Sequence, residues 1–586
     1  MTLLFGLTAV IAISGIGRML LRTFRIPTLP LHWYLALTLL TGMAATSFVV
    51  QCIVMAAPSQ RELQTAGEAL LVVGIVGHFV ARAKWIRLTV PRAGWVLWAI
   101  LGSAVGFSLL AALAPSSKID ELYYHMLFSR RIVEDHGIRV YQLPMPQAII
   151  PQMGYQTTLS VLHAAGAPDA GNVLSLAFGA ALLLLIYGVV ANETQDERMA
   201  LFATVACAVG LYPTVWHVTG APHALGDLGT ATVLAALLFP GSLKTQTNGP
   251  VLTLICGIAS AVAASTKISI MPLAALLAGL ATLAQESSLT LFKRLSIVAG
   301  IWLLVLGPLI WWSYRHTASP FGVASATLFR SKAYLPETIA EVDAAKRGSQ
   351  AGLGPAMRYA VMSLNGAFCV LVGVGVWRSI REWRTLGWLL GLTILQLTII
   401  ATSLPHEFRF LGGLQYGWVM VGAASLTTRI ASMPAMWVEA AFMILVAPWL
   451  AAQAYYIAPF AAVDFGITNP QSFLERYVAF TQDFHNLDGI LPQGSQLYIE
   501  NTRLPAIYSP RPAIFSISDW DHHSQVYRFT VTSADIALPD LELQPGADTP
   551  LFCHEEVYRD SNAVTTTFRT PGHEPERATL IVQRCR

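Results

Sequence analysis

Charged residues are scarce in this sequence. Asp, Glu, Lys and Arg make up 12% of the 586 residues and hydrophobic residues make up 54%, whereas soluble proteins carry roughly 25% charged residues. This apolar content exceeds what a water-soluble core needs and predicts a protein that has lipid as its solvent. The formal net charge is only +3, and no stripe of Lys and Arg is interleaved with aromatic residues, which excludes nucleic acid as a partner.

Cysteine is also scarce. Four of the six cysteines lie in or beside apolar runs, where a thiol packs as a small hydrophobe, and they carry no metal-ligand spacing. These four are Cys52, Cys207, Cys256 and Cys369. Cys553 and Cys585 form the one pair in the polar C-terminal region. A disulfide between them would require an oxidising compartment, and the sequence leaves open whether they are bonded.

Long apolar runs, in contrast, are abundant. A helix needs about 20 apolar residues to cross the hydrocarbon layer, and we predict a polytopic α-helical membrane protein with about fourteen transmembrane helices in residues 1–462. The predicted spans are 2–16, 31–51, 66–82, 94–113, 171–191, 199–215, 228–240, 250–265, 268–284, 294–312, 359–377, 386–403, 411–426 and 435–456. Positive charges follow the first span instead of preceding it, which is the reverse of a signal peptide.

The distribution of Lys and Arg predicts the orientation, because these residues collect near the cytoplasmic ends of spans. Alternate connections hold most of the cations, whereas the short loops of the other set hold only Arg61, Lys267 and Arg409. The N-terminus, the loops at 114–170 and 314–358, and the C-terminal tail are therefore predicted to lie outside the cytoplasm.

The tail from about residue 463 is polar, with short strand-like runs between Pro, Gly and Asp turns. The runs are SQLYIE (495–500), AIYS (506–509), AIFSI (513–517) and TLIVQRC (579–585). Residues 463–586 are predicted to form a small soluble α/β domain on the extracytoplasmic, periplasmic face.

The loop at 114–170 carries the first residues that could perform chemistry. Apolar residues between 122 and 133 recur at helical spacing opposite Arg130 and Arg131, which predicts an amphipathic helix on the membrane surface. Asp120 and Glu121 stand at its start, where a carboxylate would be held at the level of the lipid headgroups as a general base. The alternative is structural, because Ser117 followed by Asp120 matches a capping box.

A second acidic group lies in WHVTGAPHALGDLGT, where Asp227 stands at the external mouth of a span with His217 and His223 nearby. An ionisable group at the edge of the hydrocarbon is energetically costly, so its presence indicates a functional role. The alternative is that Asp227 caps the following helix. Asp120, His217, His223 and Asp227 are also candidates for a divalent-metal site, although their spacing matches no recognised ligand pattern.

Three cations on the predicted external side are candidates for binding an anion. Lys267 in STKIS and Arg409 in HEFRFL interrupt apolar runs, and Arg315 follows a span in WWSYRHTASPFG. Each could simply reach water, or neutralise an anion such as a lipid phosphate. External positive charge runs against the sorting rule, which favours phosphate binding for Lys267 and Arg409.

Five segments, in order, resemble motifs of the GT-C class of integral-membrane glycosyltransferases, particularly bacterial members related to protein O-mannosyltransferases and to the aminoarabinose transferase of lipid A modification. They are DELYYH with the prolines that follow it, APHALGDLG, STKIS, WWSYRHTASPFG and HEFRFL. The sequence departs from the family pattern where His316, Ala318 with Ser319, and Phe410 replace the residues usual in the family.

The resemblance implies a GT-C-like fold that transfers a sugar from a polyprenyl-phosphate donor to a glycan, glycolipid or protein acceptor. The reaction would be inverting, independent of nucleotide, and located at the outer face of a bacterial inner (plasma) membrane. Asp120 is expected to be the catalytic base, with Glu121 in reserve. No cofactor is implied except a divalent metal, which is left open. The expected substrate-binding residues are His125, His223, Asp227, Lys267, Arg315 and Arg409.

The alternative function is a transporter or flippase for a lipid-linked or small polar substrate, because intramembrane charges also mark transport paths. Two features count against it. Many transporters are built from two repeated halves, and this sequence shows no such repeat. Its polar residues are also predicted at one face of the membrane instead of at the midplane.

Overall fold

The structure is a computed structural model, and it divides the chain into a helical part and a C-terminal sheet region. The residues that it describes are 1–24, 26, 29–80, 94–118, 120–143, 149–243, 249–284, 289–348, 363–403, 411–430, 433–500, 506–516, 519–521, 523–532, 541–543, 551–567 and 576–586.

The helical part runs to residue 464. Its described α-helices are α1 (Thr2–Thr23), α2 (Leu31–Met55), α3 (Gln60–Val80), α4 (Trp95–Leu113), α5 (Met126–Glu134), α6 (Gly154–Ala164), α7 (Ala170–Thr194), α8 (Glu197–Ala208), α9 (Leu211–Trp216), α10 (His223–Leu238), α11 (Gly249–Thr266), α12 (Met271–Leu283), α13 (Leu291–Thr317), α14 (Pro336–Gly348), α15 (Gly366–Arg381), α16 (Trp383–Ser403), α17 (Leu414–Ile430) and α18 (Ala435–Asp464).

Within the described ranges, eight helices are long and apolar enough to cross a membrane: α1 to α4, α7, α13, α16 and α18. Three shorter apolar helices, α10 to α12, pack among them. A mostly helical protein with apolar helices long enough to span a membrane is therefore confirmed, whereas its place in a membrane and the number of fourteen spans stay predictions.

One predicted span, 199–215, is divided in two. α8 ends at Ala208 and α9 begins at Leu211, with Gly210 between them at a φ of 129°. A Cβ atom at Gly210 would lie 2.8 Å from the carbonyl oxygen of Ser363. This backbone conformation and close approach suit glycine, and they break the helix inside an uninterrupted apolar run.

The C-terminal region begins with α19 (Pro470–Tyr477) and α20 (Thr481–Asp488) and continues into a six-stranded sheet. The strand order is β2-β1-β3-β6-β5-β4, in which β1 is parallel to β2 and β3 and the other pairs are antiparallel. The strands are β1 (Gln496–Ile499), β2 (Ala513–Ile514), β3 (Val526–Thr532), β4 (Leu541–Leu543), β5 (Leu551–Val564) and β6 (Arg577–Cys585). Helices beside a mixed sheet agree with the small α/β unit expected here.

Three of the four predicted strand segments contain strands, namely β1, β2 and β6. The segment AIYS is not a strand, because Ala506–Tyr508 forms a 3₁₀ turn. Strands β3, β4 and β5 were not predicted. Cys553 and Cys585 form a disulfide that joins β5 to β6.

The predicted amphipathic helix forms as a π-helical turn, Glu121–His125, that continues into α5. The polar side of a helix on the membrane surface would be exposed to water, but here it is covered by the C-terminal sheet region. Arg131 is only 5% exposed, and its Nη1 donates to the carbonyl oxygen of Ala513 at 2.6 Å. Leu127 packs into the core of the sheet region. The helix therefore lies between the bundle and the sheet region.

Candidate functional site

The π-helical turn Glu121–His125 is called the juxtamembrane turn below. The two carboxylates at its start, Asp120 and Glu121, have different surroundings. Asp120 precedes the turn and makes no side-chain hydrogen bond that caps it. Ser117 Oγ is buried and has no hydrogen-bond partner among the described residues. The capping-box interpretation is therefore wrong. Asp120 keeps 9% of its surface exposed, whereas Glu121 keeps none, so Asp120 is the more accessible carboxylate.

Glu121 is held by hydrogen bonds from two segments of the chain, one just before it and one near residue 220. Its Oε1 accepts hydrogen bonds from Ser116 Oγ at 3.1 Å and from the backbone N–H of Gly220 at 2.8 Å. Its Oε2 is buried without a partner in the described part of the chain. Burial raises the pKa of Glu121, and the nearby Lys118 ammonium and the hydrogen bond from Gly220 oppose that rise. Burial in turn lowers the pKa of Lys118.

Ser116 is the centre of the network around Glu121. Its backbone N–H donates to Asp169 Oδ1 at 3.1 Å, and its Oγ accepts from Asn172 Nδ2 at 3.2 Å. Its carbonyl oxygen accepts from the hydroxyl of Tyr508, in the C-terminal region, at 2.6 Å. This network could not be predicted from the sequence, because it joins four segments that are distant in sequence. The one usable signal was Lys118, a further cation on the predicted external side.

His125, His223 and Lys267 come together beneath the juxtamembrane turn. The rings of His125 and His223 meet edge to face with centroids 6.0 Å apart, and Lys267 acts electrostatically on both. All three are buried. Three of the predicted substrate-binding residues therefore form one group, although they are 98 and 44 residues apart in sequence.

His125 is held by its neighbour Gln156, whose side-chain amide hydrogen-bonds to His125 Nδ1. Burial, and then the charge of Lys267, keep the pKa of His125 well below its usual value, so the ring is neutral. The Nε2 atoms of His125 and His223 are both buried without a partner among the described residues.

Asp227 belongs to a second group, one helical turn beyond His223 on α10. Its Oδ2 accepts hydrogen bonds from Tyr212 Oη and from His217 Nε2, each at 3.0 Å. The predicted capping role is wrong, because α10 begins four residues earlier, after Pro222. Asp227 instead ties α9 and the segment that follows it to α10.

The four metal candidates do not form a ligand set. Of Asp120, His217, His223 and Asp227, the described contacts join His217 to Asp227, and that contact is a hydrogen bond. Within the described ranges, no three His, Cys, Asp or Glu side chains are grouped so that they could hold a metal ion.

The two remaining cations lie elsewhere. Arg315 is exposed in the last turn of α13, unlike the buried Lys267. Arg409 lies outside the described residues, but the chain just after it reaches Asp227. A Cβ atom at Gly413, whose φ is 90°, would lie 3.1 Å from the carbonyl oxygen of Asp227. The backbone that follows Arg409 therefore packs directly on α10.

An apolar groove runs between α12 and α13, with a volume of about 970 Å³. Its lining extends from Thr282 and Leu295 at one end to Tyr314 and Pro320 at the other. Exposed side chains such as Leu303 and Trp311 border it, so it opens on the outer surface of the bundle. α12 starts four residues after Lys267, which brings one end of the groove towards the His125 group.

Comparison with known proteins adds no relative to these observations. No protein-family model matches the chain, and a search of curated proteins gives no match.

Proposed function

We propose that this protein is a glycosyltransferase that moves a sugar from a polyprenyl-phosphate donor to an acceptor at the extracytoplasmic surface of a bacterial inner membrane. The observation that carries the proposal is the meeting of Lys267 with the two buried histidines, His125 and His223, beside the Asp120 segment. The oxidising environment that the Cys553–Cys585 disulfide requires supports the extracytoplasmic side.

The chemistry of this group suits a phosphate. Lys267 is a buried cation, and Nε2 of the neutral His125 ring has no partner among the described residues. Buried polar atoms are normally hydrogen-bonded, so a phosphate oxygen that accepts from a protonated Nε2 would satisfy this atom. Charge-assisted hydrogen bonds to phosphate oxygens are among the strongest in proteins. We assign the donor phosphate to Lys267, His125 and His223; Arg409 stays a candidate from the sequence, and the exposed Arg315 is not part of this group.

The lipid chain of the donor would occupy the groove between α12 and α13. The groove is lined almost entirely by apolar side chains, and Trp302, Leu306 and Ile310 are among them. A chain in this groove would leave its phosphate near the start of α12, towards Lys267. A lateral groove also lets a lipid enter from the bilayer without crossing the bundle.

The proposed reaction is a single displacement. Asp120 accepts the proton of the acceptor hydroxyl as that oxygen attacks the anomeric carbon. The bond between the anomeric carbon and the phosphate oxygen breaks, and its electron pair leaves with the lipid phosphate. The leaving group is a stable anion, so it needs no general acid, and Lys267 with the histidine N–H groups stabilises the developing charge. Inversion at the anomeric carbon follows from one displacement.

The test is transfer of radiolabelled sugar by the purified full-length protein in detergent, with a panel of synthetic polyprenyl-phosphate sugars. We expect label to leave one donor of the panel, and Asp120→Asn to stop its release while donor binding persists. Near-normal transfer by Asp120→Asn would show that Asp120 is not the catalytic base. If a donor binds but is never consumed, with any acceptor or with water, the transferase proposal fails and the flippase is the better interpretation.

A further inference from the structure

The juxtamembrane turn and α5 together form the juxtamembrane helix, Glu121 to Glu134. One arginine of this helix, Arg130, holds the turn at Ala506–Tyr508 of the C-terminal region. Arg130 Nη1 donates to the carbonyl oxygens of Ala506 at 3.1 Å, Ile507 at 2.9 Å and Ser509 at 2.8 Å. Arg130 Nε pairs with Glu134 at 2.6 Å, which orients the guanidinium. Three carbonyl groups that converge on one cation define the position of the turn on the helix.

The same turn carries two side chains towards the carboxylates. Ile507 packs with Leu122 and Met126, which are on the juxtamembrane helix. The hydroxyl of Tyr508 donates to the carbonyl oxygen of Ser116. Ser116 then donates from its Oγ to Glu121 Oε1. Two hydrogen bonds, one to the carbonyl oxygen of Ser116 and one from its Oγ, therefore connect the C-terminal region to Glu121, the carboxylate next to Asp120.

Ser116 lies in a segment that regular secondary structure does not hold. The segment follows the end of α4 at Leu113 and precedes the π-helical turn. Both backbone polar groups of Ser116 bond to side chains, the N–H to Asp169 and the carbonyl to Tyr508. The position of Ser116 is thus set by side-chain contacts, one of which comes from about 390 residues further along the sequence.

We infer that Tyr508 is a positioning residue for the reaction, and that the C-terminal region completes the active site by holding the segment from Ser116 to Glu121. This inference rests on the proposed function, because the group that Tyr508 positions is the Asp120 base. The tyrosine touches neither substrate nor the reacting atoms. Its contribution is geometric, and misplacement of a catalytic group by about 1 Å can cost on the order of 100-fold in rate.

The first measurement is independent of any activity. Hydrogen exchange followed by mass spectrometry on the full-length protein in detergent would compare wild type with Tyr508→Phe. We expect amides in peptides that cover residues 116–125 to exchange about 10-fold faster in the variant. The matched control is Tyr558→Phe, which removes a hydroxyl that bonds Asp483 and Asn486 inside the C-terminal region. Exchange that stays unchanged in Tyr508→Phe, or rises equally in the control, would overturn the inference.

The second measurement separates positioning from binding. We expect Tyr508→Phe to lower kcat about 10-fold and to leave the KM for the lipid donor within about twofold, because Lys267 and His223 lie outside the segment that Tyr508 holds. Faster exchange with an unchanged kcat would also overturn the inference. If the wild-type protein transfers no sugar, the proposed function fails, and the exchange result alone decides whether Tyr508 holds the segment.

Discussion

The C-terminal sheet region and the candidate site treat buried polar groups in opposite ways. Arg511, in the sheet region, is 4% exposed and donates to Asp488 and to the carbonyl oxygens of Pro492 and Leu491. Among the described residues after 464, no buried side-chain nitrogen or oxygen lacks a partner. Glu121 Oε2 and His125 Nε2, in the candidate site, have none within the described ranges.

Under the proposed function, this difference separates polar groups that stabilise the fold from polar groups that bind the donor. An unsatisfied buried donor or acceptor costs about 1–3 kcal/mol, so a fold keeps such atoms only where something else compensates. Other unpartnered atoms in the bundle are mostly single hydroxyl, indole or amide groups spread along the helices, such as Thr38 and Trp98. Those of Glu121, His125 and His223 stand out because they belong to three titratable residues on neighbouring segments.

The largest effect is expected at Asp120, and a pair of variants sharpens the assignment. Asp120→Asn should lower kcat by about 10²–10⁴, because the amide cannot accept the acceptor proton. Glu121→Gln should cost only about 10-fold, since its amide oxygen can still accept from Ser116 and Gly220. Single-turnover transfer assays with saturating donor would measure both. A larger loss in Glu121→Gln would exchange the roles of the two carboxylates.

A buried ion pair of the sheet region should show the opposite behaviour. Arg528 is 4% exposed and forms two hydrogen bonds with Glu500, at 2.9 and 3.0 Å. Arg528→Met should destabilise the sheet region by about 2 kcal/mol, because Glu500 loses its charged partner; the carboxylate is 25% exposed and keeps a hydrogen bond from Thr530 Oγ1. Hydrogen exchange of β3 and β6 would report the loss, with donor binding unchanged.

The control for Arg528 is an exposed ion pair in the same region. Arg559 pairs with Glu556 at 2.7 Å, with side chains 31% and 40% exposed. Arg559→Met should cost less than about 1 kcal/mol, since water solvates the remaining carboxylate. Equal losses in the two variants would remove the distinction between buried and exposed pairs.

Lys267 tests whether the candidate site prefers a phosphate. Lys267→Met should weaken binding of a polyprenyl-phosphate sugar about 10–100-fold, roughly 1.4–2.7 kcal/mol. Binding of the uncharged polyprenol should stay the same, because the groove between α12 and α13 is unaltered. Arg315→Met is the matched variant, and its exposed position predicts a change of about twofold or less. Equilibrium binding in detergent would measure all of these. An equal loss for the phosphate and the alcohol would contradict the assignment.

Sequence patterns could predict the helical bundle, because hydropathy and charge report directly on the solvent of each segment. They also selected His125, His223 and Lys267, three polar residues at the edges of apolar runs. They could not predict the bond between Tyr508 and Ser116, since no local pattern encodes a contact across about 390 residues. AIYS has strand-like composition, but Arg130 takes up its carbonyl groups and the segment forms a turn.

Strand β5 was missed for a related reason. Its sequence LFCHEEVYRDSNAV carries many charged residues, because most of its side chains are exposed or half-buried while its backbone pairs with β4 and β6. Pairing by long-range neighbours outweighs a composition that reads as loop.

The smallest effect is expected at Asp483, which tests whether the sheet region also contains a strained polar group. Asp483 is 2% exposed and accepts a hydrogen bond from Tyr558 at 2.9 Å, with Asp560 beside it. Burial raises the pKa of Asp483 from 3.8 to about 7, and the proximity of Asp560 adds to that rise.

The direction of the pH dependence follows from this rise. Between pH 3.8 and about 7, the folded state holds a proton that the unfolded state has released. The stability that this group contributes is therefore present below pH 3.8 and is lost as the pH rises to about 7. Asp483→Asn removes the titration, so at pH 8 it should stabilise the sheet region by about 1–2 kcal/mol, and at pH 4 it should change little. Hydrogen exchange of β5 and β6 in the full-length protein, corrected for the intrinsic pH dependence of exchange, would measure the difference. No stabilisation at either pH value would mean that burial does not raise the pKa of Asp483, and that its carboxylate is accommodated as fully as those that pair with Arg511 and Arg528.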